Sequence, residues 1–271
     1  MHRFNRGNSP VDFKKVSRKY KTGKSWENFV QNEKDSYFAI RGALYERQRR
    51  HCAYCESKID DDGRFDGHIE HLERRADVPS KTFDWDNLFL SCNNPGSCGK
   101  FKDALKGEKR KFCIDEIVDP SRENPLKYFD FSRKGNIVSV RNATPEMKRK
   151  VEETVRIFNL NDSKLSGMRA VAYRNATDFL EAPRTDKEIE AYLKTLPDEE
   201  PCISVYYAVF KKEDAYEARF ASTLWNALIV CVRGKPYEFP RCVQNKRRVR
   251  IAAQAARDKP LVFRRADRRF A

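Results

Sequence analysis

No stretch of the 271 residues approaches the roughly 18 consecutive apolar positions that a bilayer-spanning helix needs, so a membrane span is not expected. The amino terminus has no signal-like pattern, and a cytoplasmic setting without membrane attachment is expected. No internal repeat is visible. Histidine is scarce, with four in the chain, which makes the pair His68 and His71 conspicuous. What the chain does have is 39% hydrophobic and 35% charged residues, the balance of a globular protein with ample core. It also has eight cysteines, which in this setting point to a reducing compartment.

Four of those cysteines form two close pairs. Cys52-Ala-Tyr-Cys55 has the two-residue spacing of a zinc knuckle. Cys92 and Cys98 flank the turn formers Asn93, Asn94, Pro95 and Gly96, which can fold the second pair back toward the same ion. A structural zinc held by Cys52, Cys55, Cys92 and Cys98 is the favoured reading. Two disulfides or four buried free thiols are the alternatives, and a thioredoxin-like redox pair is disfavoured because no βαβ pattern follows. Cys113, Cys202, Cys231 and Cys242 are most simply small hydrophobes or surface thiols.

Between the pairs lies Gly67-His68-Ile69-Glu70-His71. A carboxylate next to a histidine can hold a divalent metal while the neutral imidazole takes a proton from water. His71 is the candidate general base, against a merely structural histidine. His68 is a metal ligand, a phosphate contact or a plain strand residue. Asn87, in Asp84-Trp85-Asp86-Asn87, is expected to fix a catalytic loop or orient the base, an Asx turn being the alternative.

Cys52-Ala-Tyr-Cys55-Glu56, Ile69-Glu70-His71, Asn87-Leu-Phe-Leu-Ser-Cys92 and Cys98-Gly-x-x-Lys102-Asp103 resemble the HNH endonucleases of the PtuB type, found in Septu and retron anti-phage systems. Trp26, residues 44–50, Tyr128 to Phe131 with Gly135, and Phe158 to Asn161 with Leu165 and Arg169 extend the resemblance over residues 20–180, strongest at 52–103. It implies an α+β fold: a ββα-metal (HNH) nuclease core stapled by a four-cysteine zinc site, joined to a mainly helical C-terminal module. Glu70 would contribute to a catalytic Mg²⁺ or Mn²⁺, His71 would be the base, and Asn87 would order the loop. The implied partners are nucleic acid, DNA ahead of RNA, and a PtuA-like ATPase, with a retron reverse transcriptase and its RNA–DNA product in some systems.

One position departs from the pattern. HNH sites usually place His or Asn at or just after the last cysteine, where this chain has Gly99 and Lys100. A protonated lysine has no lone pair for a metal. Asp103 is the substitute ligand considered, its alternative being a solvated first-turn carboxylate favoured by the helix dipole.

The net charge of +15 is carried by the ends. Residues 1–50 hold 13 lysines and arginines against 5 acids, and residues 241–271 hold 11 against 2. Such segments draw phosphates, unless they serve as solubilising tails or dock on an acidic partner. Turn signals divide the chain into a basic helical lead-in (1–50), the zinc-knuckled core (51–140), a helical module (141–240) and a basic, disorder-prone tail (241–271). A helix is expected over 36–50, with Phe38, Leu44 and Tyr45 as its apolar contacts and Arg47, Arg49 and Arg50 on its polar face. Hairpins are expected over 64–91 and 126–140, the latter turned at Lys134-Gly135-Asn136. Thr144-Pro145 reads as a helix start, and Thr185 to Glu188 as a capping box. Residues 203–210 fit strand or helix, and Tyr216, Phe220, Leu224 and Leu228 fit a helical stripe.

The expected function is a metal-dependent phosphodiesterase, with Arg74 and Arg75 near enough in sequence to assist. The alternative is a zinc-stabilised nucleic-acid-binding or scaffold subunit whose nuclease site has degenerated. A toxin subunit silent without its ATPase is a third reading.

Overall fold

Strands β1 (Gly67–His71) and β2 (Leu88–Cys92) form an antiparallel pair in which His68 faces Ser91 and Glu70 faces Phe89. The pair fits the sequence: Leu-Phe-Leu-Ser-Cys is buried at every position, as a strand covered on both faces must be. Each of the three large side chains, Leu88, Phe89 and Leu90, contributes about 1.5–3 kcal/mol by leaving water. In this computed structural model the described residues are 1, 3–20, 26–59, 67–197 and 201–212. The stripe from Tyr216 to Leu228, the segment 241–271, Cys231 and Cys242 lie outside them.

Three helices precede the pair: α1 (Val11–Tyr20), α2 (Trp26–Asn32) and α3 (Lys34–Arg47). The helix expected over 36–50 ends at Arg47, because the next residue has a different task. Gln48 leaves the helix and donates its amide Nε2 to Leu90 O (2.8 Å), while its Oε1 accepts from Leu90 N (2.8 Å). Both polar groups of a buried strand residue are thereby satisfied, and Ala53 N adds a second donor to Leu90 O at 3.0 Å. Arg49 and Arg50 follow with left-handed φ of 52° and 65°, so they turn the chain toward the first cysteine pair and do not line a helix face. Leu44 and Tyr45 are buried as expected, whereas Phe38 is 42% exposed and meets Tyr37 edge-on.

The amino-terminal segment packs on the same core. Phe4 meets Phe89 edge-on at 5.9 Å, and the buried Arg6 guanidinium lies 4.1 Å from the Phe89 ring centroid. Arg6 also donates to the carbonyls of Trp85 and Leu88, closing the corner that carries Asn87.

Beyond Cys92, α4 (Cys98–Ala104) returns across β2. A second hairpin, β3 (Phe129–Phe131) and β4 (Ile137–Ser139), turns through Gly135 at φ 76°. A Cβ on Gly135 would lie 1.9 Å from Ser166 O, so only glycine permits this approach to the helix behind it. That helix is α6 (Ser163–Phe179); it follows α5 (Pro145–Phe158), and α7 (Asp186–Thr195) and α8 (Ile203–Phe210) come after. Thr144 Oγ1 accepts from Met147 N to start α5, and the Thr185–Glu188 box opens α7. Tyr54, from the first knuckle, stacks on Phe158 at the end of α5 (centroids 4.0 Å apart). The architecture is thus a mixed fold of helices with two small sheets, and no described helix is long and apolar enough to cross a membrane.

Candidate metal centre and catalytic cleft

The four expected thiols converge. Sγ atoms of Cys52, Cys55, Cys92 and Cys98 lie within 4.8 Å of one another, all buried, and those of Cys55 and Cys92 are 3.7 Å apart. A disulfide would bring two sulfurs to about 2.05 Å, so the spacing is not that of bridges. Two zinc–sulfur bonds of about 2.3 Å at a tetrahedral angle place sulfurs roughly 3.8 Å apart, so the cluster fits Zn²⁺. Burial opposes charge on Cys52, but its hydrogen bonds with the Cys55, Cys92 and Cys98 thiols outweigh that and hold it well below the usual thiol range.

Glu70 and His71 line a cleft of about 1060 Å³. His68, Arg74, Arg75, Lys100, Asp103 and Arg110 line it as well. Trp26 and Phe83 complete the wall beside His71, with the Trp26 ring edge-on to the imidazole at 4.5 Å.

His71 is 7% exposed, and its Nε2 lies 3.0 Å from Thr82 O. A carbonyl only accepts, so Nε2 carries the proton and Nδ1 keeps the lone pair. Burial pushes the imidazole down to about 4, so it is neutral at physiological pH. Asn87 secures the loop that supplies this carbonyl: its Oδ1 accepts from Glu73 N (2.7 Å), and its Nδ2 donates to Glu73 O (2.9 Å) and Lys81 O (3.0 Å).

Glu70 is 1% exposed. Its Oε1 lies 2.9 Å from Nζ of Lys102, a fully buried lysine that also donates to His71 O (2.9 Å) and Asp103 Oδ1 (2.8 Å). Burial resists charge on Glu70, yet Lys102 and His68 outweigh it and keep the carboxyl below the ordinary range. Asp103, half exposed, is engaged by Lys102 and lies 3.6 Å from Arg74 Nε. Arg74 in turn donates to the carbonyls of Lys102 and Arg110.

Gly99 stands where the HNH pattern has a side-chain ligand. A Cβ there would lie 2.5 Å from Glu70 Oε2 and 3.1 Å from Ser91 Oγ, and Gly99 N donates to that same hydroxyl at 3.1 Å. A side chain at this position would crowd the Glu70 carboxylate.

His68, Glu70, His71 and Asp103 are therefore brought to one cleft, and Asn87 sits behind its loop. Sequence reasoning assigned no role to Lys102 or to Trp26 against His71. The four-residue step from Cys98 to Lys102, which puts both on one face of a helix, was the available signal.

No family model matches the chain. The chain is 24% identical over 227 residues to the Septu protein PtuB of Bacillus thuringiensis, an alignment covering 74% of this chain and 81% of that protein. Similarity that extends across most of both chains supports a relation between this protein and PtuB.

Proposed function

We propose that this protein is a metal-dependent HNH-type endonuclease whose ββα-metal unit comprises β1, β2 and α4. The observation that carries the reading is the cleft itself: a neutral, positioned imidazole and a buried carboxylate line it together with the more exposed cations Arg75, Lys100 and Arg110. Such cations attract the phosphates of a nucleic acid. His71 Nδ1 accepts a proton from the attacking water, while its Nε2–H stays on Thr82 O and keeps the ring in place.

Glu70 fits a divalent cation such as Mg²⁺ or Mn²⁺, since its Oε2 has no hydrogen-bond partner among the described residues. Such a cation supplies charge stabilisation at the scissile phosphate. Zinc in the four-thiolate cluster would be structural, since four protein ligands leave no open position.

The relation to PtuB supports a role in anti-phage defence alongside a PtuA-like ATPase, with DNA as the first substrate to examine and a retron reverse transcriptase as a further partner. One observation favours a second reading, a zinc-stabilised binding or scaffold subunit: Lys102 already neutralises Glu70, and Gly99 offers no ligand. Cleavage assays on DNA and RNA with Mg²⁺ or Mn²⁺, with and without the ATPase, separate the two. Cleavage that His71→Ala abolishes supports the nuclease; binding without cleavage under every condition supports the scaffold.

A further inference from the structure

The two oxygens of Glu70 have different surroundings. Oε1 faces Lys102, whereas Oε2 faces His68 Nε2 at 3.7 Å. His68 Nδ1 lies 3.1 Å from Asn93 Oδ1, a contact that holds the ring with Nε2 toward Glu70. Both facing atoms, His68 Nε2 and Glu70 Oε2, are buried without a hydrogen-bond partner among the described residues. Two buried, unpartnered atoms that face one another across a gap too long for a hydrogen bond carry an uncompensated burial cost, and a cation between them would satisfy both. Two ligand bonds of about 2.1 Å span at most about 4.2 Å, so one cation can touch both atoms.

The other positions considered for a ligand are otherwise committed. Gly99 has no side chain, and Asp103 Oδ1 is engaged by Lys102 and lies 3.6 Å from Arg74 Nε. An imidazole held by an amide oxygen on its far nitrogen is the usual way a protein orients a metal-binding histidine.

We infer that His68 Nε2 and Glu70 Oε2 form the protein half of a divalent-cation site, and that this mixed nitrogen–oxygen pair selects Mn²⁺ or a similar first-row ion over Mg²⁺. The inference rests on the nuclease reading for the cation's purpose, but not for its binding. Imidazole ligands suit first-row transition ions, whereas Mg²⁺ is bound through oxygen. Asp103 is then a positioning residue for Lys102 and not a ligand.

The test is Mn²⁺ binding to the full-length, zinc-loaded chain without nucleic acid, followed by electron paramagnetic resonance. The parent protein should take up one Mn²⁺, poorly displaced by Mg²⁺, and the bound ion should show nitrogen coupling from an imidazole. His68→Gln should weaken binding by at least about 10-fold and remove the nitrogen coupling, as loss of a ligand demands at least what loss of an outer partner does. Asp103→Asn should keep the nitrogen coupling, since Asp103 reaches the site only through Lys102. A parent that binds no Mn²⁺, or binds it without nitrogen coupling, overturns the inference, and so does coupling that persists in His68→Gln. Because the nitrogen signal is read on the parent, the proposal can be refuted even if His68→Gln fails to fold. Mn²⁺ bound through His68 with no cleavage would retain this site and remove the nuclease reading. Mg²⁺-supported cleavage that His68→Gln leaves intact and Glu70→Gln abolishes would do the reverse.

Discussion

Lys102 Nζ sits 2.9 Å from Glu70 Oε1 with both side chains closed off from solvent, so α4 and β1 are joined by a buried ion pair directly beneath the cleft. Removing one partner of such a pair leaves the other charge stranded, at a cost of about 3–5 kcal/mol. Lys102→Met is therefore expected to lower the unfolding free energy by that amount in denaturant titrations, and Lys102→Met combined with Glu70→Gln to recover much of it. A single variant as stable as the parent would remove the pair as a support of the fold.

Gly99→Ala tests whether the missing side chain is a steric demand. The added methyl group would meet Glu70 Oε2 at 2.5 Å, and displacing a packed, ion-paired carboxylate should cost about 1–3 kcal/mol. Cleavage should fall along with stability. A variant that matches the parent in both melting and cleavage would show that the carboxylate moves aside freely.

His71 links the chemistry to pH. His71→Ala should lower cleavage by about 100-fold or more without reducing zinc content, as expected for a positioned acid–base group. The folded protein holds the imidazole near 4, whereas the unfolded chain titrates near 6.5. As pH falls below 6.5 the unfolded state gains the proton first, so this group's stabilisation is complete above 6.5 and is lost by about 4. The loss is on the order of 3 kcal/mol. His71→Gln should flatten that part of the stability–pH curve relative to the parent; identical slopes would place the titration on other groups.

Elemental analysis of protein purified without chelator should find one zinc per chain. Cys55→Ser should lose it together with thermal stability, because binding energy at a closed four-thiolate site is folding energy. Zinc-free protein with an unchanged melting curve would reduce the cluster to four buried thiols.

Local chemistry was readable from the sequence wherever a short motif decides it. The Thr185–Glu188 box, the Thr144-Pro145 start and the turn at Gly135 each follow from groups within four residues of one another. The convergence of Cys52, Cys55, Cys92 and Cys98 was readable for the same reason, as two short loops aimed at one point. Strand periodicity of two also sets His68 and Glu70 on one side of β1, as their 3.7 Å approach requires. Lys102 was not readable, because a lysine in a charged helix reads as a solvated face until the helix is docked against a carboxylate. Gly99 looked like a lost ligand, and only the position of Glu70 makes it a clearance. The helix expected over 36–50 overran for a similar reason: the demand on Gln48 comes from Leu90, which lies 42 residues away.

The Asn87 amide has a consequence in time as well as in space. Three of its hydrogen bonds end on the backbone of Glu73 and Lys81, and the carbonyl that aims His71 belongs to the next residue, Thr82. One side chain thus closes the excursion between β1 and β2, which makes that excursion a single unit for local opening. When it opens, the imidazole loses its aim, and the Glu73 amide proton becomes free to exchange with solvent. The exchange rate of that one proton is then a clock for how long the site stays assembled.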